Sequence, residues 1–155
     1  MKRISMALVA LLIAATAQAA ELRPLRASEV EAVLAASRGR PQIVEIWSLD
    51  CSYCRENTAR IVEWQNKHRD VRLTMIAMDS IDDNSAALSQ VLASLPLSSQ
   101  PALYANAEPI PEKLRRALDP DWRGEMPRTL LIDARGARQA SSGLLQPAAL
   151  DAWRR

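Results

Sequence analysis

Cys51 and Cys54 are the only cysteines in the chain. They stand three residues apart where the apolar run from Ile43 to Trp47 gives way to a helical pattern starting near Ser52. A Cys-x-x-Cys at the mouth of a helix suits thiol–disulfide exchange. The first backbone N–H groups of a helix lack intrahelical partners and form the positive end of its dipole, so a sulfur placed there is favoured as thiolate. Cys51 is the expected nucleophile. Cys54, one turn further in, is expected to attack the mixed disulfide that Cys51 forms with a partner, which frees the partner and leaves an internal disulfide. Other sulfur chemistries fit less well. A zinc site needs about four ligands, and the chain adds only the lone His68. Haem attachment through Cys-x-x-Cys-His fails because position 55 is Arg55. A purely structural disulfide closing so short a loop constrains little of the unfolded chain.

Two acids flank the approach to the pair. Glu45, six residues before Cys51, interrupts an otherwise apolar strand. A carboxylate there is costly to keep charged, so its pKa is expected to rise and it could take or return the proton of Cys54; the alternative is a solvent-facing acid at a strand end. Asp50 directly precedes Cys51, and its charge should disfavour the Cys51 thiolate and partly offset the dipole. Met75, Met78 and His68 would complete a copper set with the cysteines, although methionines in strands usually belong to the core and a helix-end histidine is usually a cap. Trp122 and Glu125 either border a partner groove or, for Trp122, anchor the core. Lys113, Arg115 and Arg116 read as a solvated helix face.

The elements that must position these residues follow from the chain in order. Lys2 and Arg3 precede an apolar run from Ile4 to Ala15, and Ala17 and Ala19 flank Gln18. This is the pattern of a secretory signal over residues 1–19, cut after Ala19. The apolar run falls short of the roughly 20 residues of a comfortable membrane span. Residues 20–155 then form one domain. Glu21 to Ala27 read as an irregular lead-in, and a helix runs from a capping Ser28 to Ser37 with Gly39 beyond it. The β-branched run Ile43 to Trp47 suits a strand buried on both faces. From Ser52 to His68, Cys54, Thr58, Ile61, Val62 and Gln65 share one helical side, and a second buried strand follows at Val71 to Met78. Strand, helix and strand make a βαβ unit with parallel pairing and a right-handed crossover.

Asp79 to Asn84 read as a polar turn before a third helix, in which Leu88, Val91, Leu92 and Leu95 keep helical spacing. Six of the nine prolines fall between Pro96 and Pro127, so that stretch is broken into short pieces: a strand near Ala102 to Tyr104 and a helix near Glu112 to Leu118. Thr129 to Ile132 is a strand, Asp133 to Gly136 a turn, Arg138 to Ser142 a weakly patterned strand, and Pro147 starts a last helix with Leu150 and Trp153 facing inward.

Composition narrows the function classes. The chain carries 20 basic and 18 acidic residues, and removal of Lys2 and Arg3 with the signal balances it at zero, so nothing points to nucleic acid. Export leads to a compartment where disulfides persist.

Three pieces resemble the thioredoxin superfamily, and most of all its exported TlpA/ResA-type thiol-disulfide oxidoreductases: IVEIWSLDCSYC, GEMPRTLLIDARG, and Gly143 with a terminal helix behind it. The likeness runs from Pro41 to the C-terminus. It implies an α/β thioredoxin-like fold with a central mixed sheet flanked by helices, and a cis bond between Met126 and Pro127 that packs against the disulfide. It places Glu45 where thioredoxins hold a buried acid, and the Pro-rich stretch where TlpA-like members carry an insertion. Ser52, Tyr53, Trp47, Met126 and Pro127 become the substrate-facing positions. The Ser52-Tyr53 pair departs from Gly-Pro of thioredoxin and Pro-His of DsbA, and Asp50 from the usual Trp, so the direction of exchange stays open, with reductase as the working expectation. The implied protein is a periplasmic monomer without a cofactor. Its implied partners are exported cysteine-containing proteins, apocytochrome c among them, and a membrane electron donor of the DsbD type. The alternative is a copper-handling module on the same fold that binds Cu(I) through both cysteines.

Overall fold

The apolar run around Glu45 becomes the central strand of a six-stranded sheet. The computed structural model describes residues 21–97 and 100–154; the expected signal over residues 1–19 lies outside them. In chain order the elements are β1 (Leu22–Leu25), a 3-10 turn (Ala27–Glu29), α1 (Val30–Ala35), β2 (Gln42–Trp47), α2 (Ser52–Lys67), β3 (Arg72–Ser80), α3 (Ile81–Ala93), β4 (Ala102–Asn106), α4 (Pro111–Leu118), β5 (Arg128–Ile132), β6 (Arg138–Ser142) and α5 (Pro147–Arg154). The sheet order is β1-β4-β3-β2-β5-β6. β2 pairs parallel with β3 and antiparallel with β5, β4 adds parallel to β3, and β6 closes the far edge antiparallel to β5.

Alternation along the strands sorts the core into two layers. Ile43, Trp47, Leu73, Met75, Ala77 and Leu131 pack with Cys54, Ile61 and Val62 of α2, Leu88 and Leu92 of α3, and Leu150 of α5. Val44, Ile46, Ile76, Leu130 and Ile132 point the other way, onto Val30 and Leu34 of α1, Leu114 and Leu118 of α4, and Trp122. Every residue of β2 is buried, as expected of a strand covered on both faces. Among the described residues no helix is long and apolar enough to cross a membrane.

Three local expectations are corrected. Glu21 to Ala27 is not an irregular lead-in: Leu22–Leu25 pair parallel with β4. Pro24 obscured that strand, and a proline is tolerated there because the strand lies at the sheet edge. Ser28 does not cap a helix; it sits inside the 3-10 turn, and the Glu29 carboxylate accepts the Arg26 N–H (2.9 Å). Asp79 to Asn84 is not a turn. β3 continues through Ser80, whose Oγ accepts the Asp83 N–H (3.4 Å) as the cap of α3, with Asp82 and Asp83 in its first turn. Their polarity signals a helix start, where acids are favoured by the dipole.

Candidate active site

β2 delivers the chain to the site and α2 carries it away. Four residues separate Trp47 from Ser52, and Cys51 serves as the N-cap of α2, in extended conformation, with its Sγ accepting the Cys54 N–H at 3.1 Å. A sulfur therefore takes the position at which Ser, Asp or Asn usually satisfies an orphan helix donor. Cys51 and Cys54 are bonded, with Cα atoms 5.2 Å apart. Cys51 is half-buried, Cys54 is buried, and Ser52 and Tyr53 between them are exposed, Tyr53 at 63%. Of the pair, Cys54 is closed to solvent and Cys51 is partly open. Asp50 is exposed, so solvent and ions screen its charge. Asp79, at the end of β3, is half-buried and accepts the Leu49 N–H at 3.0 Å, which ties the loop before Cys51 to the neighbouring strand.

One turn below Cys54 lies a buried polar cluster. Glu45 is fully buried; its Oε1 accepts from Thr58 Oγ1 (2.9 Å) and Asn57 Nδ2 (3.2 Å), while Oε2 has no partner. Burial dominates and raises its pKa from 4.5 to about 8, and the two hydrogen bonds offset part of that rise. Asn57 and Thr58 are the i+3 and i+4 neighbours of Cys54 on α2, so they share its helical face. Asn57 reaches further: its Nδ2 also donates to Thr129 Oγ1 of β5 (3.3 Å), and its Oδ1 accepts the Leu145 N–H (2.7 Å).

The antiparallel register of β2 and β5 sets Ile46 opposite Arg128. The residues that follow β2 and those that precede β5 thus emerge at the same end of these two interior strands, which brings Met126 and Pro127 to the cysteine end of the fold. Their peptide bond is cis. Met126 is half-buried and packs on both core layers, and Cys51 packs on the layer that contains Cys54 and Trp47. The loop before Pro127 is held from several sides. Trp122 Nε1 donates to the Glu125 carbonyl (2.8 Å), the Gly143 N–H donates to the Pro127 carbonyl (2.8 Å), and Arg128 Nε donates to Asp119 (3.1 Å) in an ion pair whose side chains are 14% and 11% exposed. Arg115 also donates to the Trp122 carbonyl.

Of the residues singled out by sequence, the structure gathers Cys51, Cys54, Ser52, Tyr53, Met126 and Pro127 at this end, with Glu45 beneath. Trp47 is only 4% exposed, so it is a core side chain under the site and not an open substrate contact. Trp122, at 2% exposure, is a core anchor. The copper set does not converge. Met75 packs on the α2 layer beside Glu45 and Met78 on the opposite one. His68 sits at the far end of the 16-residue α2, about 25 Å along the helix from Cys51, and stacks on Trp64. Among the described residues no three His, Cys, Asp or Glu side chains are placed to hold a metal. Asn57, Thr129, Asp79 and Arg128 were not anticipated. Asn57 alone had a readable signal, an amide inside a helix face otherwise made of buried side chains.

No protein-family model matches the chain, and no curated protein matches it in sequence. Solved structures do match. A secreted disulfide oxidoreductase of Mycobacterium tuberculosis, homologous to E. coli DsbE, superposes with a TM-score of 0.59 at 14% identity over 77% of this chain and 84% of that one. A thiol:disulfide interchange protein of the thioredoxin family from Chlorobium tepidum gives 0.56 at 20% identity, over 77% and 81%. A thioredoxin-related protein of Neisseria meningitidis gives 0.54 at 22%, over 76% and 84%. The fold of this chain is thioredoxin-like.

Proposed function

We propose that the protein is a thiol–disulfide oxidoreductase acting on exported cysteine-containing proteins, with Cys51 as nucleophile, Cys54 as resolving thiol and Glu45 as proton carrier. The observation that carries this reading is the asymmetry of the pair: a half-open sulfur at a helix cap and a closed one above a buried acid. As a reductase, the Cys51 thiolate attacks a partner disulfide, and one partner sulfur leaves as thiolate. Cys54 then gives its proton to the Glu45 carboxylate and attacks Cys51 Sγ; the second partner sulfur departs, and two electrons have passed to the partner. In the recharging direction a donor thiolate attacks Cys51 Sγ, and protonated Glu45 supplies the proton that the buried Cys54 thiolate needs on leaving. With a pKa of about 8, Glu45 is mostly protonated at neutral pH, the state suited to recharging.

Because the Pro127 carbonyl is engaged by Gly143, Met126 is the residue whose backbone would pair with an extended substrate beside exposed Ser52 and Tyr53. The sequence features of residues 1–19 favour a periplasmic setting, with apocytochrome c among the candidate substrates and a DsbD-type membrane donor as the source of electrons.

Equilibration with glutathione and dithiothreitol buffers, followed by thiol trapping, tests the reading. The expected result is reversible reduction at a potential between about −270 and −120 mV, the span of thioredoxin to DsbA, and near its reducing end. A potential below about −300 mV, the range of inert structural disulfides, would refute it.

A further inference from the structure

Asn57 has every polar atom committed. Only its Oδ1 can accept the Leu145 N–H (2.7 Å), so the orientation of the amide is fixed by a backbone donor and its NH2 must face Glu45 Oε1 (3.2 Å) and Thr129 Oγ1 (3.3 Å). Asn57 is 0% exposed, as are Glu45 and Thr129, so water does not substitute for any of these bonds at the surface. The surroundings of Glu45 are otherwise short of polarity. β3 sets Met75 beside it, β5 sets Thr129, and α2 brings Thr58, Asn57 and, one turn towards the site, Cys54. No charged side chain among the described residues contributes to its titration. Burial favours the carboxyl, and what opposes it are two hydrogen-bond donors, Thr58 first and Asn57 second.

We propose that Asn57 is a positioning residue that, beside Thr58, lowers the pH at which Glu45 exchanges its proton with Cys54, and that it ties that proton to the Gly143–Leu145 loop. The inference rests on the reading of Glu45 as the proton carrier. The side-chain hydrogen bonds of Asn57 go to Glu45, Thr129 and Leu145 and to neither sulfur. Asn57 acts by donating to Glu45 while Leu145 prevents the amide from turning over. The same loop reaches the substrate side, since Gly143 N–H holds the Pro127 carbonyl (2.8 Å). A change in the charge of Glu45 is therefore felt at Leu145 through a single side chain.

The experiment follows the rate of dithiothreitol reduction of the Cys51–Cys54 disulfide from pH 6 to 10, corrected for the reagent's own thiolate, in four proteins: the wild type, Glu45→Gln, Asn57→Asp and the double variant. Asn57→Asp keeps the acceptor for Leu145 but turns a carboxyl towards Glu45, so the two acids share a proton and the upper step of the pair moves up. The wild type should show a bend near pH 8 that Glu45→Gln lacks. In Asn57→Asp the bend should lie about one unit higher, a tenfold change in proton affinity, and the double variant, which keeps only the introduced carboxyl with no second acid to repel it, should lack that upward displacement. A uniform loss of rate with the bend unmoved would overturn the proposal and leave Glu45 as carrier. A wild-type profile identical to that of Glu45→Gln would overturn the Glu45 reading and this proposal together. A readout without variants is the Leu145 amide resonance of the oxidised wild-type protein. It should titrate with the same midpoint as the Glu45 side-chain carboxyl carbon, and a flat Leu145 resonance across that midpoint would overturn the coupling.

Discussion

Glu45 holds its proton because no cation and little water come near it, and that condition has a consequence for the whole chain. Its carboxyl ionises at the ordinary value of 4.5 when unfolded and at about 8 in the fold. Between those values the unfolded chain binds fewer protons than the native one, so stability falls as pH rises through that window and levels off above it. The full effect is on the order of 5 kcal/mol. The oxidised wild type should therefore lose several degrees of Tm between pH 5 and 8 beyond any shared trend. Glu45→Gln, which is neutral throughout, should lack that extra slope and become the more stable protein at pH 8. Parallel slopes in thermal melts of the two proteins would contradict the buried, protonated state. The acid itself was legible in the sequence, because a charge within a β-branched run demands an account. Its partners were not, since a helical wheel places Asn57 and Thr58 on the buried side of α2 without saying which strand residue they meet.

At the level of elements, the loop that ends in Met126 and Pro127 owes its shape to the Pro-rich segment that precedes it. Trp122 fills the α1–α4 layer and donates to the Glu125 carbonyl, while the Asp119–Arg128 pair ties the C-terminal end of α4 to the start of β5. Trp122→Phe keeps most of the apolar volume and deletes the indole donor. It should cost about 1 kcal/mol in denaturant melts and raise KM for a protein disulfide, while alkylation of reduced Cys51 proceeds at the wild-type rate. An unchanged KM would place the loop's positioning elsewhere. Six prolines made the segment recognisable as a broken stretch, and Leu114 and Leu118 gave its helix. The clamp on Glu125 was invisible because it joins side chains to backbone across a loop. The same limit explains β1. A four-residue edge strand containing Pro24 carries too little periodicity to declare itself, and only its pairing with β4 reveals it.

For the molecule as a whole, the central βαβ unit was readable because its strands and helix bury continuous apolar faces, whereas β6, nearly all exposed, was marked only by the Asp133–Gly136 turn before it and the last helix by Pro147, Leu150 and Trp153. Resemblance implied a central mixed sheet, and the strand pairings supply the order within it. What the fold then supplies is a single end of the sheet where β2 stops, α2 begins and β5 starts, so that a sulfur, a buried acid and the Met126–Pro127 turn meet without any one segment encoding the site. Cys51 and Cys54 differ in burial because they lie one helical turn apart at that end of the strands.

The most direct test of this division of labour is a Cys54→Ser variant, reduced and then mixed with a disulfide-bonded exported protein. A covalent adduct should accumulate, release its partner on addition of dithiothreitol, and map by peptide mass to Cys51. Failure of any adduct to form at Cys51, with the variant folded and its Cys51 thiol open to alkylation, would contradict the exchange mechanism.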